Sequence, residues 1–403
     1  MYGTVENGEQ VPDVSHEHVL AAWDVSAPHK IEYHVEVARN LLDLENDRIA
    51  SWCGVRTLVV MDHSVEAIYG GRIRSYFDHF GISAKTLALK ADESSKELNS
   101  MLSVSDAMND VGLLRRSESV VVFGGGVVMD VVGLAASLFR RGVPYVRIPT
   151  TLIGQVDAGV GVKTGVNRGQ HKNRLGTYFP PAAALIDPTF LSSLPARHIR
   201  NGLAEIVKIA LVKDETLLEL LESCANGLGA EDLAVPSSPA HDQILTRAIG
   251  GMLEELEPNL HERVLERLVD FGHTFSPALE LIADPPLLHG EAVAVDMAVT
   301  IGISKNRGLI DDATAERVLG LISRLGLPLT NPMFTPALLQ SALDDTIKHR
   351  DGHQRVPLVN GLGTALFVNN ITISELAAAV DYVDAVSRGM QWGLAPVNVR
   401  LHG

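Results

Sequence analysis

The stretch SVVVFGGG (119–126), followed directly by VVMDVVGLAASLF (127–139), decides the fold. A run of valines that ends in glycines is typical of a buried strand, and the apolar-rich residues after it are long enough for a helix. Glycine lets the backbone approach a pyrophosphate closely, and the helix N-terminus offers free N–H groups and a positive dipole end. The sequence here is GGGVVMD and not the dinucleotide-binding motif GxGxxG. This motif alone therefore fits a strand–helix turn without a ligand as well as it fits a dinucleotide site.

The residues on either side repeat this alternation from about position 55 to 190. Helices are predicted from the end of the strand RTLVVMD (56–62) through Ile73, and from Ser95 to about Leu114. Strands that alternate with helices predict a mainly parallel α/β sheet. The Gly-rich segment 156–173 predicts a hairpin or long loop over the sheet edge. The other predicted strands are RTLVVMD (56–62), KTLALK (85–90), YVRIP (145–149) and AALI (183–186).

After Leu194-Pro195 the periodicity becomes helical nearly throughout. We therefore expect a polar N-terminal tail (1–30), a Rossmann-like α/β domain (31–195) and a mostly α-helical domain (196–403). The segment from Ala225 to Ala240 is rich in Gly, Ser, Pro and acidic residues and predicts a surface loop.

Composition limits the function classes. A chain of 403 residues suggests two domains, and 46% hydrophobic with 21% charged residues suits a soluble globular protein. The net charge of −15 argues against a nucleic-acid binder. No membrane-length apolar run and no signal peptide are seen. Only Cys53 and Cys224 are present, so we expect a reducing cytoplasm and neither a disulfide framework nor a Cys-based zinc site.

Three separated residues are candidate metal ligands. Glu205 shares a helical face with Asn201 and Lys208, His273 lies in DFGHTFSP, and His289 lies in LLHGEAVAVDMA. Two imidazoles and a carboxylate would leave open positions on a zinc-like ion for substrate oxygens. The alternative is a polar stripe on an amphipathic helix together with two structural histidines.

Cations are concentrated in one part of this acidic chain, which suggests an anion site. The alternative is a set of scattered surface cations. The residues are Arg141, Lys163, Lys172, Arg174 and Lys208, accompanied by Asn173.

Taken together, six segments resemble the sugar phosphate cyclases of the dehydroquinate synthase-like superfamily, over about residues 55–370. The resemblance implies an NAD⁺-binding α/β domain and a helical domain that holds the substrate and Zn²⁺ or Co²⁺. The segments are GGGVVMDVVGLAAS, RRGVPYVRIPTTLIGQVDAGVGVKTGVN, HKNRLG, RNGLAEIVKIALV, FGHTFS and LHGEAVAVDM.

The resemblance also implies roles for individual residues. The metal ligands would be Glu205, His273 and His289. Arg141 resembles an arginine that reaches into the neighbouring subunit's site, which implies a homodimer. The residues implied in catalysis, through contacts with substrate and phosphate, are Asp157, Lys163, Asn173 and Lys208. The residues implied in NAD⁺ binding are Asp62, Glu93, Lys96, Gly125, Gly126, Val127, Asp130, Thr150, Thr151 and Lys172.

Departures from the family pattern bear on the substrate. Met252, Asp270 and Pro277 stand where dehydroquinate synthases carry Lys, Asn and His. Loss of a cation and gain of a carboxylate would repel a substrate carboxylate and suit hydroxyls, as in sedoheptulose 7-phosphate. Asp270 together with His349 resembles the 2-epi-5-epi-valiolone synthase branch. The 2-epi-valiolone and desmethyl-4-deoxygadusol synthase branches remain alternatives.

The reaction implied by the resemblance has no net redox change. It comprises transient oxidation by NAD⁺, β-elimination of phosphate, reduction and aldol cyclisation. A metal-dependent polyol dehydrogenase would share the layout but release NADH, with fewer cations at the site. A catalytically inactive NAD-binding regulatory protein is a third hypothesis, against which three intact candidate ligands argue.

Overall fold

The computed structural model describes residues 30–169, 171–227 and 239–393. A six-stranded sheet, with every neighbouring pair parallel, forms its α/β part in the spatial order β1-β8-β5-β4-β2-β3. The predicted parallel sheet is therefore confirmed, with an additional edge strand, β1, that was not predicted from the short segment HVEV. The strands are β1 (His34–Val37), β2 (Arg56–Asp62), β3 (Ser83–Leu89), β4 (Val120–Gly124), β5 (Tyr145–Pro149), β6 (Lys163–Arg168), β7 (His171–Tyr178) and β8 (Ala183–Ile186).

Apolar side chains bury both faces of the sheet. In β2, Leu58 and Val60 join one apolar cluster, while Val59 and Met61 join the cluster on the opposite face, as the two-residue period of a strand requires. The helices that follow are α1 (His63–His79), α2 (Leu98–Val111) and α3 (Gly126–Leu138). The first ends at His79 and not at the predicted Ile73. The second begins at Leu98, later than the predicted Ser95, and ends before Gly112, whose φ of 68° is left-handed.

The Gly-rich segment forms the antiparallel hairpin β6–β7. Its predicted place over the sheet edge was wrong, since β6 packs on α3 and Val166 is buried in the same cluster as the α3 side chains. Gly133 permits this contact, because a Cβ there would lie 2.5 Å from Thr164 Cγ2. The hairpin therefore carries its polar residues over one end of α3.

Helices make up most of the remainder, as predicted. An antiparallel hairpin of β9 (Val356–Val359) and β10 (Ala365–Val368) interrupts them and was not predicted. The helices are α4 (Ala196–Val212), α5 (Glu215–Gly227), α6 (Pro239–Leu256), α7 (Ser276–Ile282), α8 (His289–Asn306), α9 (Asp312–Arg324), α10 (Pro336–His349) and α11 (Ile373–Gly393). None of the helices described has the length and apolar character needed to cross a bilayer.

The predicted boundary at 195/196 coincides with the start of α4, but the described residues from Tyr33 onward form one compact unit. As a domain boundary it stays a prediction. The predicted tail lies outside the described residues except for Lys30. Most of the predicted loop between Ala225 and Ala240 also lies outside them, although α5 and α6 extend into its two ends.

Candidate active site

Three side chains from separate segments converge at the start of α8. Glu205 comes from α4, His273 from the loop before α7, and His289 is the first residue of α8. Glu205 Oε1 lies 3.2 Å from His289 Nε2 and 3.6 Å from His273 Nε2, and the two Nε2 atoms are 3.3 Å apart. One nitrogen from each imidazole and a carboxylate oxygen thus lie within 4.8 Å of one another. This set of two nitrogens and one oxygen fits Zn²⁺ or Co²⁺.

Hydrogen bonds at Nδ1 orient both imidazoles. His273 Nδ1 lies 3.0 Å from the Phe271 carbonyl, and His289 Nδ1 lies 2.9 Å from Glu280 Oε1. Because each acceptor binds the proton on Nδ1, each ring is turned so that its Nε2 faces Glu205. Burial would lower the pKa of His289, but its bonds to Glu205 and Glu280 outweigh burial and raise that pKa to about 10. Burial lowers the pKa of His273.

Backbone anchors hold the three segments together. A Cβ on Gly290 would lie 2.0 Å from the Asn201 carbonyl oxygen, so glycine is required where α8 crosses α4. The Gly290 N–H donates to Asn201 Oδ1 at 2.6 Å. On the other side, Asp296 of α8 accepts hydrogen bonds from the backbone N–H groups of Phe275 and Ser276, at 2.5 and 2.8 Å. These bonds fix the loop that carries His273.

Lys208 lies one turn after Glu205 and is 1% exposed. Its ammonium pairs with Glu205 and lies 3.8 Å from Asp157 Oδ1. Burial opposes the charge, but the two carboxylates outweigh it and raise the pKa of Lys208. Burial likewise opposes the Glu205 carboxylate, while the Lys208 charge and the imidazoles hold the pKa of Glu205 well below its usual range. The site therefore holds a buried charged pair.

The glycine turn lies close to this cluster. Gly125 precedes α3 without a side-chain cap, so the first N–H groups of the helix are available to an anion. A Cβ on Gly126 would lie 3.2 Å from the Cβ of Ala158, the neighbour of Asp157. Asp157 and Ala158 belong to a π-helical turn, Gly154–Ala158, a feature often found at functional sites.

Side chains around the turn are engaged in local contacts. Asp62 caps α1 through Oδ1, which accepts from the N–H groups of Ser64 and Val65 at 2.8 and 2.9 Å, while Oδ2 faces Gly124. The Thr150 N–H donates to the Gly124 carbonyl at 3.0 Å. Two further predicted cofactor residues are Val127, in the first turn of α3, and Thr151, whose methyl would contact a Cβ on Gly125 at 3.2 Å.

A buried lysine connects α3 to the hairpin. Lys96 Nζ lies 2.6 Å from Asp130 Oδ2 and 2.6 Å from Asn173 Oδ1. Lys172, beside Asn173 on β7, lies 2.7 Å from Glu280 Oε2 and 3.7 Å from Glu93 Oε1. Through Asn167 and Asn173, four of the ten predicted cofactor-binding residues therefore form one network with the hairpin, namely Glu93, Lys96, Asp130 and Lys172.

Asp270 is not a lone carboxylate. Arg267 donates to it, with Nε 3.3 Å from Oδ2, and Arg350 Nη2 lies 3.4 Å from the same oxygen. Arg267 also pairs with Glu262, which pairs in turn with Lys163. Two arginines therefore accompany Asp270 and offset the negative charge that its carboxylate brings to the site.

Other predicted residues lie apart from this network. Arg141 is exposed in the turn after α3, with φ of 63°, and His349 is exposed in the last turn of α10. Pro277 fits the first turn of α7, and Met252 is buried in α6. Among the described residues, no hydrogen bond or ion pair joins Arg141 or His349 to the site.

Comparison with known proteins decides the family. Models of the N-terminal and C-terminal parts of 3-dehydroquinate synthase match residues 86–201 and 202–348. The chain belongs to the 3-dehydroquinate synthase family. The family resemblance seen in the motifs is thereby confirmed.

Named relatives within this family are similar over nearly their whole lengths. The 2-epi-5-epi-valiolone synthase of an Actinomyces species is 47% identical over 377 residues, which are 91% of this chain and 99% of that protein. The demethyl-4-deoxygadusol synthase of Trichormus variabilis is 39% identical over 366 residues, 89% of each chain. The solved structure of ValA, a 2-epi-5-epi-valiolone synthase from Streptomyces hygroscopicus subsp. jinggangensis 5008 with NAD⁺ and Zn²⁺ bound, matches with TM-score 0.86 and 48% identity. It covers 90% of this chain and 99% of ValA.

Sequence reasoning missed several residues of this 3-dehydroquinate synthase family site. Glu280 lies on α7 and contacts His289, nine residues further along the chain, only through the packing of α7 against α8, so no signal in the sequence pointed to it. Asp296 follows His289 by seven on α8. Arg267, Arg350 and Glu262 carried no signal, since their pairing with Asp270 and Lys163 depends on how the segments meet in space.

Proposed function

We propose that this protein is a sugar phosphate cyclase that converts sedoheptulose 7-phosphate to 2-epi-5-epi-valiolone and releases phosphate. The observation that carries the proposal is the convergence of Glu205, His273 and His289 beside the glycine turn and a buried lysine. Relatives that carry the name 2-epi-5-epi-valiolone synthase support the choice of branch.

Glu205, His273 and His289 would hold a Zn²⁺ or Co²⁺ ion, and the N-terminus of α3 would hold the NAD⁺ pyrophosphate. When bound, these groups supply transient hydride transfer and polarisation of a substrate C–O bond. The protein groups orient both. The bonds of His273 to Phe271 and of His289 to Glu280 direct each Nε2, and Gly125 and Gly126 leave room for close approach of the cofactor.

A cation and an amide of the hairpin β6–β7 would serve the phosphate. Asn173 Oδ1 accepts from Lys96, so the Nδ2 of Asn173 is directed outward as a donor. Lys163, on β6, has a side chain that is more than half exposed, and its ammonium pairs with Glu262. Donors placed where charge develops stabilise the departing phosphate.

Lys208 and Asp157 would contact substrate hydroxyls. Lys208 is held as a cation by its pair with Glu205, and Asp157 Oδ1 lies 3.8 Å from the same ammonium. A hydroxyl between them would be positioned by a donor and an acceptor together. Asp270, Pro277 and His349 are proposed to set the preference for a substrate that ends in CH₂OH.

Three broader assignments accompany the proposal. The enzyme is a carbon–oxygen lyase acting on phosphates, in cyclitol-forming secondary metabolism such as antibiotic biosynthesis. It works in the cytoplasm, which agrees with two unpaired cysteines, Cys53 and Cys224. It is a homodimer in which the exposed Arg141 reaches the partner's site. Light scattering tests the dimer. Restored activity in mixtures of Arg141→Ala with a site-inactive variant tests the role of Arg141.

The test is incubation with sedoheptulose 7-phosphate, NAD⁺ and Zn²⁺ or Co²⁺. We expect one phosphate per cyclic product, no lasting reduced-nicotinamide absorbance, and the NMR spectrum of 2-epi-5-epi-valiolone. Accumulating NADH without phosphate release would indicate a polyol dehydrogenase. A different cyclitol would indicate one of the other two synthase branches.

A further inference from the structure

Glu280 joins the candidate metal ligand His289 to Lys172, one of the predicted cofactor-binding residues. It lies on α7, its side chain is 8% exposed, and each of its oxygens has a different partner. Oε1 lies 2.9 Å from Nδ1 of His289, and Oε2 lies 2.7 Å from Nζ of Lys172. The residue therefore bridges His289 and Lys172 through its two oxygens.

The two partners face different ligands. His289 turns its other nitrogen to Glu205, within the candidate metal site. Lys172 belongs to the hairpin and lies 3.7 Å from Glu93, whose Oε1 accepts a hydrogen bond from Asn167 at 2.8 Å. A single carboxylate thus connects the metal ligand to the lysine and glutamate on the cofactor side.

We propose that Glu280 is a positioning residue that couples metal binding to NAD⁺ binding. This inference rests on the proposed function, since it assigns Lys172 to the cofactor. A metal held by His289 fixes the imidazole, which fixes the carboxylate and the long Lys172 side chain. NAD⁺ then binds a lysine that has already lost its rotamer freedom. Because coupling is reciprocal, NAD⁺ raises metal affinity by the same factor.

Glu280→Gln separates coupling from simple folding. A glutamine amide has one acceptor oxygen, and both partners are donors. If the oxygen accepts from His289, the NH₂ group faces the Lys172 ammonium. If it accepts from Lys172, the bond that selects the His289 tautomer is lost. Either orientation breaks the bridge at one end while the size of the side chain is kept.

The experiment is calorimetric titration of NAD⁺ into full-length protein with and without saturating Zn²⁺, after chelator treatment. In the native protein we expect Zn²⁺ to tighten NAD⁺ binding about fivefold or more. In Glu280→Gln the factor should fall to within about twofold. The matched control is Glu222→Gln, which breaks a carboxylate–arginine pair with Arg317 on α5 and α9 and should keep the native factor.

Lys172→Met tests the same bridge from its other end. Lys172→Met should keep Zn²⁺ affinity near the native value yet lose the coupling. It replaces Glu280→Gln in the experiment if circular dichroism shows that Glu280→Gln is unfolded. Native coupling in either folded variant overturns the inference. A native protein that cyclises its substrate but shows no coupling also overturns it and leaves the proposed function standing. Failure of the native protein to bind NAD⁺ and Zn²⁺ overturns both.

Discussion

Arg350 Nη2 lies 3.4 Å from Oδ2 of Asp270, although 80 residues separate them in the chain. The same guanidinium donates to the carbonyls of Gln354 and Arg355 at 2.9 and 2.8 Å, so it is anchored at the end of α10. Arg267 pairs with Asp270 from the other side. A carboxylate between two arginines orients them and partly neutralises their positive charge. Its main effect is therefore to lower the net positive charge that the substrate meets, rather than to repel a substrate carboxylate directly.

Replacement of Asp270 by Asn should release that positive charge. We expect kcat/KM for sedoheptulose 7-phosphate to fall about tenfold or more, while a carboxylate-bearing substrate analogue inhibits more strongly. Loss of the carboxylate from two largely buried arginines should also cost about 1–3 kcal/mol of unfolding free energy. Steady-state kinetics with and without the analogue measure the first effect. Asp345→Asn, an exposed pair with Lys348 on α10, is the control and should change neither.

Removal of the Glu205 carboxylate should remove the metal. In Glu205→Gln we expect Zn²⁺ affinity to fall about a hundredfold or more, since loss of even an indirect partner of a metal ligand costs 10–100-fold. The buried Lys208 would retain only Asp157 at 3.8 Å, so a lower Tm is expected as well. Metal content after dialysis, measured by mass spectrometry, checks the result. Glu254→Gln, an exposed carboxylate on α6, should keep its metal, and a fully loaded Glu205→Gln protein would refute the ligand assignment.

Local patterns predicted much of the fold. The valine run and glycines of β4, and the strand–helix alternation around it, indicate a parallel sheet because the central strands β2 and β4 are apolar on both faces. Helical periodicity likewise placed Glu205 and Lys208 on one face of α4. The edge strand β1 and the hairpin β9–β10 were not predicted, because these strands are short and depend on their neighbours for pairing.

The partners of the site residues could not be predicted in the same way. Type and motif singled out Glu205, His273 and His289, yet their convergence depends on Gly290 allowing α8 to approach α4. Glu280 and Arg350 reach the site only through tertiary packing, and His349, the residue singled out beside Arg350, lies exposed. The bond from Glu280 to the imidazole of His289 and the pairing of Arg350 with Asp270 are contacts between distant segments. Residue spacing along the chain does not predict such contacts.

Enlarging the glycine turn should weaken cofactor binding selectively. In Gly125→Ala the added methyl would lie 3.2 Å from Thr151 Cγ2, and it would occupy the space that a pyrophosphate needs. We expect NAD⁺ affinity to fall about tenfold or more with Zn²⁺ affinity unchanged. Fluorescence titration of NAD⁺ measures this. Gly250→Ala on α6, where a Cβ meets open space, is the matched control, and equal NAD⁺ affinity in both variants would argue against the cofactor assignment.

Asp296 should make the stability of the native protein depend on pH. It is fully buried, and burial, which its bonds to Phe275, Ser276 and Thr300 offset only in part, raises its pKa to about 6. An unfolded aspartate titrates near about 3.9, so between these values the folded state binds the additional proton. Its stability therefore falls as pH rises through this window, by about 1 kcal/mol between pH 5 and pH 7.

Asp296→Asn removes that titration while its amide oxygen can still accept from the loop that carries His273. Relative to the native protein, the variant should gain roughly 1–3 °C in Tm on going from pH 5 to pH 7. Differential scanning calorimetry at both pH values measures the difference. Asp381→Asn, an exposed carboxylate on α11, should track the native protein at both. A Tm difference for Asp296→Asn that does not change with pH would mean that Asp296 stays ionised throughout, held by its backbone donors more strongly than burial opposes it.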